Sequence, residues 1–444
     1  MKTINKFFAV VVFIVGLVTF NSCEIETIEN QNGPSIESLV EGASLADLRL
    51  LASGLESILR TDMEFYFWTV SMVGREYWDL NNTDPRYTGE LLGVNGAPLD
   101  NNGFLTTRSF GSRYRAIRNA LVLIEATQNA NAGLTTEEEN GLIGYAKTLQ
   151  AYSLLLVANR QFTNGVRLDV TDPDNLGPFV DYAASLTGIR ALLDEAATDL
   201  SNAGSEFAFF LSSGFDGFNT PAAFRQFNRA LAARVAIYQD DKPGAITALA
   251  ASFFNINGDL NTGVSYAFGG AVGNDRANPL FYVADQDLYT AHPSWEDNIE
   301  AGDTRLEAKT RLYTEDPEEG LPPNTDGLTG PRQVSLIASQ TSPFPIIRNA
   351  ELVLLYAEAQ IGTNAGEVTA AINIIRNAAG LPDYAGPDDA ASLLAEVLNQ
   401  RRYELFAEGH RWLDMRRTGN LDEIPIDRPG DQVFELFPRP ILEE

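Results

Sequence analysis

Hydrophobic residues recur at steps of three and four along most of this 444-residue chain. That spacing places them on one face of an α-helix, so each segment that carries it is predicted to be an amphipathic helix. The predicted helices are Leu45–Leu59, Asp62–Tyr77, Ser112–Thr127, Glu137–Asn159, Ser185–Asn202, Pro221–Tyr238, Pro243–Phe254, Arg348–Ile361, Val368–Ala379 and Ala390–Arg417. The pattern therefore predicts a mostly α protein.

The stretch from about 255 to 344 has a different composition, with many Gly, Pro, Asn and Asp residues and scattered aromatics. These residue types favour turns, so we expect a loop-rich insert with a few short strands. No Pro/Ser-rich linker or low-complexity tract divides the rest of the chain. Residues 36–444 are therefore predicted to form a single domain that contains this insert.

Small and aromatic residues alternate on several predicted helices, as in Gly144-Tyr145-Ala146 and Tyr356-Ala357. Small residues let two helices approach closely, and this alternation is typical of tetratricopeptide repeats. A clean self-similarity with a period of about 34 residues is missing. Residue patterns alone therefore leave the repeat assignment open.

The segment from Arg401 to Arg417 interleaves charged and aromatic residues at helical spacing. On a continuous helix, Gly409 and Trp412 would share one face, and Glu404 and Glu408 would lie one turn apart. Charges that are partly buried in a helical core usually satisfy one another. We therefore interpret this helix as a structural scaffold and Trp412 as a core residue.

The N-terminal segment determines the predicted compartment. Lys2 and Lys6 precede an apolar run from Phe7 to Phe20, which is shorter than the ~20 residues of a membrane-spanning helix. The run ends just before Cys23, the only cysteine, which excludes a disulfide within the chain. We predict a signal peptide at residues 1–22, lipid attachment at Cys23, and a flexible acidic tether at residues 23–35. An ordinary secretory leader with an unmodified Cys23 is the alternative.

Loss of residues 1–22 removes two lysines and no acids, so the formal charge changes from −28 to −30. Such a surface repels nucleic acid and anionic lipid headgroups, which argues against either as a partner. It also disfavours strongly anionic polysaccharides unless a local basic patch overrides the global field. If the ligand is a glycan, a neutral one is favoured.

Three segments, in this order, resemble the motifs of the SusD/RagB family of outer-membrane nutrient-binding lipoproteins: Ile346–Ala359, Ala371–Leu381 and Arg401–Arg417. The resemblance implies tetratricopeptide-type helical pairs with the irregular regions packed on one side. It also implies a lipid-anchored protein at the cell surface and a SusC-like TonB-dependent transporter as partner. Ser22 before Cys23 is similar to a lipoprotein signal, and the acidic residues after Cys23 resemble a surface-export signal.

Aromatic and polar residues follow the second predicted helix, among them Trp78, Asn81, Arg86 and Tyr87. Aromatic rings stack on the C–H faces of sugars, while amide and guanidinium groups bond to sugar hydroxyls. In a starch-binding member of the family, an aromatic residue and an Asn three residues later contact the glycan, and Trp78 with Asn81 is similar. Core packing at a helix end is the alternative for Trp78.

A second aromatic group in that family comes from the loop-rich middle, where this chain has Tyr282, Tyr289 and Trp295. Trp295 lies in a stretch without helical periodicity, so we expect it to be exposed. Trp78 and Trp295 are then expected to form one stacking platform for a glycan. Trp68 is assigned to the core because it shares a helical face with its apolar neighbours.

Groups for catalysis are few, since the chain has two histidines and one cysteine that is assigned to lipid. No Ser-His-Asp triad, Cys-His pair or histidine-rich zinc site is indicated, and we predict no enzyme, no metal and no cofactor. The segment from Asn255 to Asn261 has the oxygen-ligand spacing of a calcium loop. However, Tyr266 stands at the twelfth position, where an EF-hand needs Glu, so turn formation is the expected role.

These observations predict an outer-membrane lipoprotein at the cell surface that captures an oligosaccharide or polysaccharide. The family resemblance adds delivery to a partner TonB-dependent transporter, with no chemical step. A peptide-binding, RagB-like uptake protein is one alternative, and a tetratricopeptide-type adaptor that binds only proteins is another. Exposed Trp78 and Trp295 would count against the adaptor. The identity of the glycan and the number of sites are not determined by the sequence.

Overall fold

The computed structural model describes residues 40–269, 276–281, 289–313 and 322–443. The predicted signal peptide, the lipidation residue Cys23 and the tether at residues 23–35 lie outside the described residues, and so does Tyr282. From Val40 onward the described residues belong to one compact unit.

The first two helices are α1 (Leu45–Leu59) and α2 (Glu64–Val73), which lead into strand β1 (Tyr77–Asp79). A capping box starts α1, in which the Ser44 hydroxyl accepts from Asp47 N and the Asp47 carboxylate accepts from Ser44 N. The second helix is shorter than predicted, because Gly74 caps it and Arg75 has a φ of 53°. This turn places Trp78 on a strand.

A row of helices follows, and each helix packs on the next one along the chain. The elements are α3 (Phe104–Gln128), α4 (Thr136–Gln161), β2 (Val166–Arg167), β3 (Phe179–Val180), α5 (Tyr182–Ser201), α6 (Pro221–Tyr238) and α7 (Lys242–Ala250). Gly144 of α4 shows how closely they approach, since a Cβ there would lie 2.7 Å from Leu200 Cγ of α5. The predicted helical pairs are confirmed.

The insert contains short strands and short helices: β4 (Gly263–Tyr266), β5 (Tyr289–Ala291), α8 (Pro293–Asn298), α9 (Arg305–Lys309), β6 (Thr310–Leu312), β7 (Arg332–Val334) and β8 (Phe344–Arg348). Among the described residues, β1, β5, β7 and β6 form an antiparallel sheet in that order, with Tyr77 opposite Ala291. Strands β4 and β8 pair separately. The insert is therefore joined to the N-terminal helices through β1.

The C-terminal helices are α10 (Asn349–Gln360), α11 (Ala365–Ala378), α12 (Ala390–Glu404) and α13 (Arg411–Arg417). The prediction of one helix from Ala390 to Arg417 is wrong. Ala407 and Gly409 have φ values of 63° and 81° between α12 and α13. Ala407 N donates to Glu76 Oε1 at 2.9 Å, and a Cβ on Gly409 would lie 3.2 Å from the Tyr66 and Phe67 rings of α2. Contact with α2 and the residues after it accounts for the break.

The core assignments of Trp68 and Trp412 are confirmed, with exposed fractions of 5% and 0%. The Trp412 indole donates to the carbonyl oxygen of Phe434 at 2.7 Å and packs edge-on against Phe437. The C-terminal tail thereby closes over α13. Among the helices that the structure describes, none is both long and apolar enough to cross a bilayer.

Candidate functional site

The first candidate group is the network of buried charges on α12 and α13. Arg401 Nε lies 2.7 Å from Asp414 Oδ2, and Arg417 Nη2 lies 2.8 Å from Asp414 Oδ1. Arg417 also forms an ion pair with Glu358 of α10. Burial raises the pKa of Asp414, but the two guanidinium groups outweigh burial and the pKa falls to about 2. This network joins α10, α12 and α13 and leaves Asp414 charged.

A second buried pair connects α6 to α10. Arg234 donates to both carboxylate oxygens of Glu351, each at 2.6 Å, and His410 Nε2 lies 3.6 Å from Glu351 Oε2. Burial lowers the pKa of His410 to about 4, although the Glu351 carboxylate acts in the opposite direction. The imidazole is therefore neutral near pH 7. The charges of the C-terminal segment are thus paired inside the helical scaffold, partly with one another, as Asp414 with Arg401 and Arg417, and partly with other elements, as Arg417 with Glu358.

Trp78 does not present its ring to solvent. It lies on β1 with 3% of its surface exposed, and its indole Nε1 lies 3.3 Å from Asp427 Oδ2. Its ring packs edge-on against the imidazole of His292 at 4.8 Å. Asp427 also pairs with Arg75 at 2.7 Å, so the Trp78 side chain lies beside a buried ion pair. Core packing describes Trp78 in this structure.

The expectation that Trp295 is exposed in a loop is wrong. Trp295 lies in the short helix α8 and is 1% exposed, with its ring 4.0 Å from that of Phe406 and 4.8 Å from that of Tyr403. A helix of six residues is too short to show a periodic pattern, which is why the sequence suggested a loop. Tyr289 is buried on β5 and packs against Tyr77 at 5.4 Å. These rings do not form an open stacking platform in this structure.

The polar residues of the prediction remain at the surface, in a turn after β1 that we call the surface turn (residues 81–87). Asn81 is half-buried, and its side-chain oxygen accepts from Thr83 N at 2.9 Å. Arg86 is exposed, and its guanidinium lies 4.3 Å from the centre of the Phe104 ring. It also pairs with Asp84. The surface turn thus keeps an amide and a guanidinium accessible.

Tyr87 links the surface turn to the core. Its ring meets that of Trp68 edge-on at 4.8 Å and that of Phe104 at 6.5 Å. Arg108 lies on the same side, 4.8 Å from the Phe65 ring and 5.9 Å from the Phe104 ring. The half-buried Phe104 ring is therefore close to two arginines and to Tyr87.

Sequence reasoning missed a cavity of about 300 Å³, which we call the Lys309 cavity. Strands β4 and β8, the end of α9 and the end of α12 contribute to its walls. The charged residues in the wall are Lys309, Arg348, Glu404 and Glu408. Only the spacing of the two glutamates was visible in the sequence, because the other two residues are separated from them by more than one element.

Arg348 holds the two carboxylates of this wall. Its Nη2 lies 2.7 Å from Glu408 Oε1, and its Nη1 lies 2.7 Å from Glu404 Oε1. Lys309 donates to the backbone carbonyl of Glu404. Burial lowers the pKa of Lys309 to about 8, although the carboxylate of Glu404 opposes this effect. The wall therefore combines two cations and two anions in a partly buried position.

The C-terminal region of the chain matches a known protein family. The sequence profile of the SusD family matches residues 329–433, which include β8 and helices α10 to α13. The SusD-like protein P38 of Formosa agariphila is 33% identical over 90 residues, a match that covers 18% of this chain and 18% of that relative. The resemblance to the SusD/RagB family is confirmed. The matched part is thus under a fifth of the relative's length.

Solved structures share the SusD-like fold over nearly the whole chain. A SusD superfamily protein from Bacteroides vulgatus has a TM-score of 0.67 at 18% identity, covering 90% of this chain and 96% of its own. A laminarin-binding SusD-like protein has a TM-score of 0.64 at 19% identity, covering 91% and 97%. NanU of Bacteroides fragilis has a TM-score of 0.61 at 16% identity, covering 89% and 94%. The mostly helical SusD-like fold is confirmed.

In the described ranges of this SusD-like chain, no group of three or more His, Cys, Asp and Glu side chains is arranged to hold a metal ion. The accessible polar chemistry described above lies at two places, the surface turn and the Lys309 cavity. Both offer hydrogen-bond donors and acceptors that suit noncovalent binding.

Proposed function

We propose that this protein binds a glycan at the cell surface, without a chemical step, and delivers it to a SusC-like TonB-dependent transporter of the outer membrane. The observation that carries the proposal is the SusD-like fold, which aligns with 91% of the chain in a laminarin-binding protein. The match of the SusD family profile to residues 329–433 supports it. The transporter is the partner that the family resemblance implies.

The surface turn is the proposed outer contact for the glycan. Asn81 and Arg86 carry an amide and a guanidinium that can bond to sugar hydroxyls, and the rings of Phe104 and Tyr87 lie next to Arg86. Tyr282 belongs to the same proposal, although it lies outside the described residues. Trp78, Tyr289 and Trp295 are buried and are not part of the proposed contact.

A neutral glycan suits the charge of the chain. The formal charge of −28 becomes −30 once the two lysines of residues 1–22 are lost. At this charge the field repels polyanions such as alginate and pectin. The proposal therefore favours neutral glucans or fructans over acidic polysaccharides.

Membrane attachment is assigned to acyl chains on Cys23, which would hold the protein firmly at a bilayer without a spanning helix. A Cys23→Ser variant should keep the fold and leave the membrane fraction. The measurement is cell fractionation in a strain that lacks the transporter. If the variant still fractionates with the membrane there, the lipid assignment is wrong.

Affinity gel electrophoresis of the mature chain, kept soluble in a non-glycosidic detergent, tests glycan binding. The gels contain neutral β-glucans, α-glucans and fructans, with alginate and pectin for comparison. Retardation by at least one neutral glycan, and none by the two acidic polymers, is the expected result. If no glycan retards the protein and a peptide library binds, the peptide-uptake alternative replaces the proposal.

A further inference from the structure

The Lys309 cavity contains a cation with spare hydrogen-bonding capacity. Lys309 is 9% exposed and lines the cavity. Within the described residues, its ammonium group donates to one acceptor, the carbonyl of Glu404. An ammonium group carries three N–H donors, and a buried donor without a partner is costly. A ligand that accepts hydrogen bonds would remove this cost.

Acceptors lie on the same wall. The Glu408 carboxylate accepts from Arg348 Nε at 3.1 Å and from Nη2 at 2.7 Å, and Glu404 Oε1 accepts from Arg348 Nη1 at 2.7 Å. A carboxylate has about four lone-pair positions, so both groups can accept further hydrogen bonds. The cavity therefore offers donors and acceptors together, as a group that carries several hydroxyls requires.

The charges of the wall determine which ligand is favoured. Lys309 and Arg348 balance Glu404 and Glu408. The nearby Arg305 and Asp303 also balance each other, since Arg305 pairs with Asp303 at 2.6 Å and lies 3.6 Å from Glu404. An anionic ligand would lie against the two glutamates, and a cationic ligand would lie against Lys309 and Arg348. Since the wall has no net charge, an uncharged ligand meets the smallest electrostatic penalty.

Apolar side chains also line the cavity. Leu336, Ile337, Pro343 and Pro345 line the cavity, and each of them is at least partly accessible. Asn261 and Ser265 add an amide and a hydroxyl at its edge. Hydrogen-bonding and apolar side chains in one cavity suit a sugar ring, which has hydroxyls around its edge and C–H groups on its faces.

The volume limits the size of the ligand. At about 300 Å³ the cavity equals roughly ten liquid water molecules and lies at the lower end of small-molecule sites. One hexose ring has a comparable number of non-hydrogen atoms. We propose that the Lys309 cavity is a subsite for one uncharged sugar unit, with Lys309 donating to its hydroxyls and Glu404 and Glu408 accepting from them. This inference rests on the proposed glycan-binding function.

Isothermal titration of the mature chain tests the subsite. The probes are β-1,3- and α-1,4-linked gluco-oligosaccharides of two and four units, with digalacturonic acid and a dipeptide as charged counterparts. Lys309→Met removes the ammonium group and keeps most of the side-chain volume. Leu336→Trp fills the cavity and leaves the polar contacts in place, so it provides a test even if Lys309→Met folds poorly.

Both variants should bind the disaccharide and the tetrasaccharide at least about tenfold more weakly than wild type. Lys309→Met loses a hydrogen bond from a charged group, and the indole of Leu336→Trp occupies the space of the sugar. Lys242→Met is the matched control, because Lys242 also donates to a backbone carbonyl, that of Ile361, and lies outside this cavity. Its affinity should stay at the wild-type value. Melting temperatures of all the variants separate a binding defect from unfolding.

The pH profile gives an independent readout. Glu404, Glu408, Arg348 and Arg305 act on the charge of Lys309, and its pKa is about 8. Wild-type affinity should therefore fall as the pH rises above about 8, because the ligand accepts from the protonated amine. Lys309→Met should lack this fall. A wild-type profile that is flat to pH 9.5 would count against Lys309 as a donor.

The outcomes separate this inference from the proposed function. If wild type binds a neutral glycan and both cavity variants bind it equally well, the subsite is wrong and the proposed function stands. If digalacturonic acid or the dipeptide binds more tightly than the neutral sugars, the assignment to uncharged sugars is overturned. If wild type binds no glycan in any assay, the proposed function fails and the subsite fails with it.

Discussion

Two buried charged residues of the C-terminal half, Asp414 and Lys309, differ in how far the protein compensates their charge. Asp414, on α13, is held by the guanidinium groups of Arg401 and Arg417, and its pKa falls to about 2 in spite of burial. Lys309, at the end of α9, donates to one carbonyl among the residues that the structure describes, and burial lowers its pKa to about 8. Burial opposes the charge in both cases. At Asp414 the charge partners outweigh desolvation and lower the pKa, whereas at Lys309 desolvation outweighs the nearby carboxylates.

This difference distinguishes the structural network around Asp414 from the Lys309 cavity, the candidate ligand site. A buried charge with strong partners holds helices together and has little left to offer a ligand. A buried charge with few partners is destabilising by itself and gains when a ligand supplies what the protein does not. The two neighbouring regions thus use buried charge for different purposes, and the comparison can be tested by removing each type of contact.

The largest effect is expected from Asp414→Ala. This change leaves Arg401 and Arg417 buried without their shared carboxylate, and the free energy of unfolding should fall by about 3–5 kcal/mol. Asp84→Ala removes the partner of the exposed Arg86 and serves as control, with an expected loss below about 1 kcal/mol. Urea unfolding measures both. Similar values for the two variants would remove the distinction between buried network and surface pair.

Trp295→Ala tests whether the insert contributes to the core as the structure indicates. The ring packs on Phe406 and Tyr403, so its removal should cost about 3–5 kcal/mol of unfolding free energy, as should Trp412→Ala. Glycan affinity of the folded fraction should stay near wild type. An unchanged melting temperature together with lost glycan binding would indicate that Trp295 contacts the ligand.

Two buried groups should give opposite pH dependences between pH 4.5 and 6.5. The folded-state pKa of His410 is about 4, below its ordinary 6.5, so its contribution to stability is present above pH 6.5 and is lost as the pH falls towards 4. Burial raises the pKa of Glu76 to about 7 from 4.5, so its contribution is present below pH 4.5 and is lost as the pH rises. Each group contributes a slope of up to about 1.4 kcal/mol per pH unit.

In wild type, His410 and Glu76 contribute slopes of opposite sign to the free energy of unfolding as a function of pH. A variant that lacks one group should show the slope that the other group contributes. In His410→Gln, the free energy of unfolding should decrease as the pH rises from 4.5 to 6.5. In Glu76→Gln it should increase over the same range. Urea unfolding at several pH values measures both profiles. If both variants follow the wild-type profile, burial does not control these two pKa values.

The smallest effect is expected at the surface turn. Asn81→Ala and Arg86→Ala should each weaken glycan affinity by about 1 kcal/mol, the typical value of one exposed hydrogen bond, with little change in melting temperature. Arg115→Ala is the control, because Arg115 is also exposed and pairs with an aspartate, Asp62. Affinities of the two turn variants equal to that of the control would leave the Lys309 cavity as the better candidate.

Local sequence signals predicted the helix bounds correctly where the N-terminal caps are strong. The predicted bounds of α1 and α6 match the structure, because Ser44 with Asp47, and Thr220 before Pro221, provide clear starts. The start of α3 was placed too late. Its N-cap is Gly103, which makes no side-chain capping bond, and so the sequence carries no start signal there.

Features that depend on distant partners were missed. The break between α12 and α13 follows from a hydrogen bond between Ala407 and Glu76 and from the approach of Gly409 to α2. The burial of Trp295 depends on Phe406 and Tyr403, which are far away in the sequence. None of these contacts leaves a periodic trace within its own segment.

The sequence by itself determined the helical character, the core positions of Trp68 and Trp412, and the family resemblance, because helical spacing, caps and motif order are local properties of the chain. Only the tertiary structure decided which charges are compensated. Asp414 meets Arg417 within α13, but it meets Arg401 through the packing of α12 on α13, and Lys309 meets Glu404 where the insert contacts the helices. Burial and partner distance set the pKa of each group, and both are properties of the folded arrangement.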